Sequence, residues 1–318
     1  MLEAAFAEIM GGEAPPAQVA GLLIALRAKG ETVREMSAIA RALRARAETA
    51  PLRDPRTVDT CGTGGDGADT FNISTVAAFV VAGAGVPVAK HGNRAASSQA
   101  GSADVLEALG VEVDLDVARA ADVLAEVGIA FFFARRAHPA FRFVAPIRQQ
   151  LGVRTVMNCM GPLLNPAGAR RQLVGVYAQD LVQPLARVLL ELGAERALVV
   201  HGDDGLDEVT ITGPTHAALL ADGKVQPLTL DPGQAGLAKA GIGELAGGDA
   251  SENARIARDV LGGTRGPRRD VVVLNAGAAL WVAGAASDLV SGVALADESL
   301  ASGAAAEKLA ALARVSSG

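Results

Sequence analysis

The chain has 318 residues, half of them apolar and 3% aromatic, with a formal net charge of −6. That length supports a large core and two domains, and the negative balance argues against a nucleic-acid partner held by a general positive field. No apolar run reaches the roughly 18–20 residues that cross a bilayer, no basic leader precedes Glu3 and Glu8, and Cys61 and Cys159 stand far apart without a second pair. A cytoplasmic enzyme with no membrane partner and no structural metal is expected.

The first fifty residues show helical periodicity in three stretches: Leu2, Phe6, Ile9; Val19, Leu22, Leu23, Leu26; and Val33, Met36, Ile39, Leu43. Pro15-Pro16 and Lys29-Gly30 separate them, and Thr32 with Glu35 reads as a capping box. Helices this short bury little alone, so they are expected to dock on the rest of the chain and on a second copy. From Thr57 onward, strand signals at 86–89, 129–133, 173–177, 197–200 and 271–274 alternate with helical signals at 102–109, 117–126, 181–192, 252–261 and 276–285. Such alternation predicts a mainly parallel sheet covered by helices on both faces. Segments 209–212, 217–220 and 225–230 read as strands, with Asp222-Gly223 as a hairpin turn. The expected fold class is therefore α/β. A small N-terminal helical domain over residues 1–65, joined by part of 139–166, precedes a larger α/β domain over 66–318.

The stretch 59–75 carries the most chemistry. Gly62, Gly64, Gly65 and Gly67 lie within six positions, and Ser74 and Thr75 stand where a helix begins. Backbone free of Cβ atoms turns successive amides toward one anion, and a helix start adds unpaired N–H groups and the positive dipole end. A phosphate or pyrophosphate is the expected occupant. The glycines also satisfy G-x-G-x-x-G, but the helix opens too late for a dinucleotide fold, and Lys90 ends the next strand where a ribose-binding acid belongs.

Lys90-His91-Gly92-Asn93-Arg94, then Ser97-Ser98, follow that strand and should face the same crevice. Ser102 reads equally well as a helix cap and as a ligand group. Asp203, Asp204, Asp207 and Glu208 crowd a later loop. So many carboxylates beside a polyanion call for a cation, and magnesium held by Asp207 and Glu208 answers. Segment 127–179 has no Asp or Glu but seven arginines, at 135, 136, 142, 148, 154, 170 and 171, leaving −13 on the remainder of a −6 chain. It reads as a cationic wall facing a small anionic ligand.

Read together, Asp59-Thr-Cys-Gly-Thr-Gly-Gly-Asp-Gly, Asn72-Ile-Ser-Thr, Lys90-His-Gly-Asn-Arg, Gly101-Ser-Ala-Asp-Val-Leu-Glu-Ala-Leu-Gly, His138-Pro-Ala, Gly161-Pro-Leu-Leu-Asn-Pro and Asp204-Gly-Leu-Asp-Glu make this sequence resemble the anthranilate phosphoribosyltransferases over nearly its whole length. The resemblance implies a magnesium-dependent homodimer that joins 5-phosphoribosyl 1-pyrophosphate to anthranilate, the second step from chorismate toward tryptophan. It implies that the donor meets Gly62, Gly65, Asp66, Thr70, Asn72, Ser74, Thr75, Lys90, Gly92, Ser98 and Ser102, and that Mg2+ meets Ser74, Asp207 and Glu208. Anthranilate would meet Gly62, Asn93 and Arg148, with His138 and Pro162 at its entry. No covalent nucleophile or obligatory base is implied. Two rival readings lie within the same fold: a pyrimidine nucleoside phosphorylase, which needs neither the acid pair nor Arg148, and a catalytically silent nucleic-acid-binding relative, for which a basic face is expected.

Overall fold

The computed structural model describes residues 1–95 and 99–318. Seven strands form one sheet: β1 (Val58–Gly62), β2 (Val88–Gly92), β3 (Ile129–Phe133), β4 (Arg171–Gly175), β5 (Arg196–Gly202), β6 (Thr215–Ala221) and β7 (Lys224–Leu230). Their order is β3-β2-β1-β4-β5-β6-β7. The first five are parallel and the last two antiparallel. The chain thus builds outward from β1 in one direction and then returns to place β4 on its other side. That reversal opens a crevice between β1 and β4 at their carboxyl ends, the usual ligand position in an open α/β sheet.

Side-chain alternation along β4 and β5 feeds two cores. Leu173, Leu198 and Val200 pack with helices Ile73–Gly83 and Pro267–Ala283, while Val174, Ala197 and Val199 pack with helix Val182–Glu191. The second core also takes in the helices Leu2–Gly11, Pro16–Lys29 and Val33–Arg44 through Phe6, Leu23 and Ile39. Val144, Ile147, Met157 and Met160, from the proline-punctuated stretch after His138, join the same core. The N-terminal helices therefore bury their apolar stripes against the sheet's own second layer. The capping box at Thr32 and Glu35 is formed, and hydrogen bonds from Lys29 and the Thr32 backbone hold the Glu35 carboxyl down to about 2.

Several expectations change. β1 pairs with both β2 and β4, so the sheet begins at residue 58, inside the stretch 1–65 expected to be helical. Val271, Val272, Val273 and Leu274 lie within helix Pro267–Ala283 instead of a strand. A buried run of β-branched residues looks alike in a parallel strand and in a helix apolar on all sides, and Pro267 at the first helical position decides for the helix. Residues 209–212 form no strand, because the Thr210 hydroxyl bonds Asp204 at 2.6 Å and its amide bonds the Thr215 hydroxyl at 3.0 Å. The hairpin stands as expected, with Asp222 and Gly223 at φ 52° and 69° between β6 and β7.

Candidate active site

Two glycines decide what lies over the crevice. Gly62 and Gly175 are register partners at the carboxyl ends of β1 and β4. A Cβ on Gly62 would come within 2.5 Å of Asp207 Oδ2, and one on Gly175 within 1.5 Å of the Asp207 carbonyl. Only glycine at both positions lets the acidic loop descend onto the point where the strand order reverses.

Beyond Gly62 the backbone turns through Gly64, Gly65 and Gly67, all left-handed. The Gly64 amide donates to Asp207 Oδ2 at 2.7 Å, and the Asp207 amide to Asp66 Oδ2 at 3.4 Å. Thr70 makes a bridge to Ala246 that stitches the far end of the loop to the segment before helix Ala250–Leu261. The helix then opens at Ile73, with Asn72 as its cap residue, so Ser74 and Thr75 fall in its first turn and not before it. There the Ser74 amide donates to Glu208 Oε1 at 3.1 Å, placing a carboxylate on a helix N-terminus.

Lys90 lies beneath this group at the middle of β2, not at the strand's end as expected, and is 3% exposed. Its ammonium donates to the Thr60 carbonyl at 2.5 Å and to Ser74 Oγ at 3.3 Å. Burial pulls its pKa down, against the opposing pull of Asp59, Glu208 and Asp207. Thr75 Oγ1 donates to Ser102 Oγ at 3.1 Å. Gly101, not Ser102, is the cap residue of helix Ser102–Ala108, which frees the Ser102 hydroxyl from the capping role. Asn72 donates to the Ala100 carbonyl at 3.1 Å. Gly92 lies tight against the Phe131 ring, where a Cβ would sit 2.8 Å away, and Asn93 is exposed beyond it. Ser98 lies outside the described residues.

The carboxylates of Asp207 and Glu208 keep part of their surface open, yet protein encloses them closely enough for burial to dominate. Burial, then Glu208 and Asp66, pushes Asp207 well above the usual carboxylate range. Burial raises Glu208 to about 7, with Lys90 pulling the other way. Two acids held this way lack positive charge. Among the described residues no group of three or more His, Cys, Asp or Glu side chains is arranged to hold a metal. The pair therefore does not suit an all-protein cage. It fits magnesium, which takes one or two carboxylates and leaves its other positions to water and substrate oxygens.

The acceptor-side candidates gather less tightly. His138 is 5% exposed, with its ring centroid 5.1 Å from that of His91. Burial lowers His91 to about 3 and His138 to about 4. Pro162 is buried, and its carbonyl accepts from Gln172 at 2.8 Å. Arg148 lies on helix Ala145–Leu151, half-buried, and burial lowers its pKa. Among the described residues no hydrogen bond or ion pair engages its guanidinium. Of the other arginines in that acid-free stretch, Arg136 pairs with Asp114, while Arg170 and Arg171 share Glu195. The wall of seven cations is thus partly neutralised from elsewhere in the fold.

Three more residues support the site: Asn253 and Asn275, which the sequence does not single out, and Arg154, which it places only in the arginine-rich wall. Asn253, 3% exposed, donates to Asn72 Oδ1 at 2.9 Å while accepting from the Gly248 amide at 2.8 Å. Asn275, fully buried, clasps both the amide and the carbonyl of Val209, at 2.9 and 2.8 Å, and so anchors the end of the acidic pair. Arg154 stacks on Tyr177 and donates to the Gly65 carbonyl. Asn275 stands out as a polar residue in an apolar run, whereas Asn253 sits in a charged amphipathic helix without such a mark; which backbone group each serves depends on helix packing.

Comparison with known proteins bears on this arrangement. Residues 54–306 match the model of the glycosyl transferase family a/b domain, and residues 1–47 that of the glycosyl transferase family helical bundle domain. The chain is 58% identical over 304 residues to the anthranilate phosphoribosyltransferase of Moorella thermoacetica, covering 96% of this chain and 90% of that one. It is 56% identical to that of Rhodospirillum rubrum, covering 96% and 88%. Among solved structures it is similar to the anthranilate phosphoribosyltransferase of Thermus thermophilus, with TM-score 0.95, 45% identity and coverage of 100% and 95%. It is also similar to the Saccharomyces cerevisiae enzyme in complex with PRPP and Mg, with TM-score 0.91, 27% identity and coverage of 99% and 92%. The chain belongs to the anthranilate phosphoribosyltransferase family.

Proposed function

We propose that this protein transfers the phosphoribosyl group of 5-phosphoribosyl 1-pyrophosphate to the amine of anthranilate, releasing pyrophosphate, as the second step from chorismate toward tryptophan. The observation that carries the reading is the contact of the glycine loop with the acid pair over one crevice, Gly64 to Asp207 and Ser74 to Glu208. The relatives' names support it, as does a similar yeast enzyme solved with PRPP and Mg. Asp207, Glu208 and Ser74 would hold Mg2+, which when bound supplies positive charge to the departing diphosphate.

The donor contacts are proposed at Gly62, Gly65, Asp66, Thr70, Asn72, Ser74, Thr75, Lys90, Gly92, Ser98 and Ser102. The C1–oxygen bond to pyrophosphate breaks as the anilinic nitrogen approaches C1, through an oxocarbenium-like sugar. Negative charge then grows on the leaving oxygens. The Gly64 and Ser74 amides hold the acid pair that would carry the cation, the positive end of helix Ile73–Gly83 faces the same crevice, and Lys90 holds Ser74 in place from beneath. The aromatic amine is neutral at pH 7, so its lone pair is available without a strong base, and no covalent nucleophile is needed. Arg148 would take the acceptor's carboxylate through a planar two-pronged contact, with Gly62 and Asn93 beside it and His138 and Pro162 at the entry.

A cytoplasmic homodimer, joined through the N-terminal helices, completes the proposal. Two free thiols and an exposed Ile24 on helix Pro16–Lys29 support it. The acid pair and the unpaired Arg148 favour this reading over nucleoside phosphorolysis. The test is to mix the protein with 5-phosphoribosyl 1-pyrophosphate, Mg2+ and anthranilate and to follow the acceptor's fluorescence. A magnesium-dependent loss is expected; no loss at any magnesium concentration would refute the reading.

A further inference from the structure

One side chain reaches from the acceptor-side segment to the donor loop. Arg154 follows helix Ala145–Leu151, six residues after Arg148. Its guanidinium lies over the Tyr177 ring, 4.3 Å from the centroid, and its Nη2 donates to the carbonyl of Gly65. The Arg154 carbonyl accepts from Arg27 Nη1 at 2.5 Å, which ties the segment to helix Pro16–Lys29. On the far side, the Tyr177 amide donates to Thr63 Oγ1 at 3.0 Å, and the Thr63 amide to the Gly175 carbonyl at 2.9 Å.

The residue whose ring Arg154 covers therefore bonds the start of the glycine loop through its backbone amide, and the same guanidinium grips the loop two residues later. Gly64, Gly65 and Gly67 are left-handed, and a Cβ on Gly64 or Gly67 would meet nothing within 4 Å. A loop so thinly packed takes its position from the few groups that bond it. Only a flat guanidinium can stack by its face and donate from its edge at once, which a lysine cannot do. An exposed arginine is ordinarily a solvated surface group, but this one spans two ligand-bearing parts of the chain.

We propose that Arg154 is a positioning residue that couples the two substrate sites: occupation of the diphosphate site, by setting the Gly65 carbonyl, sets the segment that carries Arg148 and so tightens binding of the aromatic acid. The inference rests on the function proposed above. Coupling of this kind is reciprocal, and factors of about 5- to 150-fold are typical.

The experiment uses two non-reacting probes on the full chain: magnesium pyrophosphate for the donor side and anthranilate, followed by its own fluorescence, for the acceptor side. In the natural protein, saturating magnesium pyrophosphate should lower the anthranilate Kd about fivefold or more. In Arg154→Gln, the Kd without pyrophosphate should stay within about twofold, while the ratio of the two Kd values falls toward one. Arg154→Lys should lose most of the ratio too, because the charge remains and the stack does not. Should Arg154→Gln not fold, Tyr177→Leu removes the ring from the other side and should lower the ratio equally. A full ratio in any folded variant, or a ratio of one in the natural protein, overturns the proposal. Turnover by the natural protein separates the two readings, since absence of product would refute the function and an unchanged ratio only the coupling.

Discussion

The proposed donor half and the proposed acceptor half of this site would solve the same problem, holding an anion, in opposite ways. On the proposed donor side the candidate groups are backbone amides and the lysine of β2, each already bonded: Gly64 to Asp207, Ser74 to Glu208, Lys90 to Thr60 and Ser74. On the proposed acceptor side, Arg148 is half-buried with no hydrogen-bond or ion-pair partner among the described residues. The first arrangement fixes the acid pair and the glycine loop against each other before a cation and substrate arrive. The second leaves a desolvation cost unmet until a ligand's carboxylate arrives, which favours that ligand over one lacking it.

The contrast is most exposed at Glu208. Glu208→Gln should lower kcat/KM by about 10²–10³, the scale of one lost electrostatic contact at a reacting oxyanion. The same change should raise the melting temperature of the magnesium-free protein. The Glu208 carboxyl titrates near 7 when folded against 4.5 for the free group, so its ionisation costs stability as pH rises between those values. The gain should be present at pH 8 and absent below 4.5. Calorimetry in chelator checks it, and a variant that melts lower at pH 8 would show that the acid pair is not electrostatically strained.

Arg148→Ala probes the other half. It should raise the acceptor KM by roughly 10- to 100-fold, matching about 1.5–3 kcal/mol for a charged hydrogen bond, and leave the donor KM within about twofold. Steady-state kinetics with each substrate varied decides; equal loss for both would mean that Arg148 serves the donor half.

His138 sets a pH dependence on the acceptor side. Burial holds its folded pKa near 4, below the free value of 6.5. The unfolded chain therefore takes up the proton first, and stability present above 6.5 is lost as pH falls toward 4. At pH 5 the loss from this residue should be about 2 kcal/mol, and His138→Asn should remove it. Urea melts at pH 7 and 5 make the comparison, and an unchanged slope in the variant would place the acid sensitivity elsewhere, with His91 the next candidate.

A change that touches neither half supplies the baseline. Thr32→Ala removes the cap of helix Val33–Arg44 and should cost about 1 kcal/mol of stability with turnover unaltered.

Much of this molecule could be read before its structure. The glycine spacing, the helix after it, the lysine within β2 and the acids after β5 are local signals. Local signals survive because turn chemistry and helix starts depend on near neighbours in the chain. The misread segments show where locality fails. At Val271 the β-branched run has strand propensity, yet packing against helices Ile73–Gly83 and Leu289–Ala301 holds it helical. At Thr210 side-chain hydroxyls take over the bonding that a strand would have used. The arginine-rich wall looked continuous because Asp114 and Glu195 lie outside the window in which it was counted.

From the residues alone came the chemistry on offer: amides without Cβ atoms, a buried cation and a pair of acids, because these properties belong to residue types and short spacings. Packing alone could decide that Gly62 and Gly175 sit side by side under Asp207, that Asn253 and Asn275 brace the loops from helices late in the chain, and that Arg148 has no hydrogen-bond or ion-pair partner among the described residues. These facts depend on the order of strands in the sheet and on which helix crosses which, and such long-range geometry is set by the burial of the whole core at once.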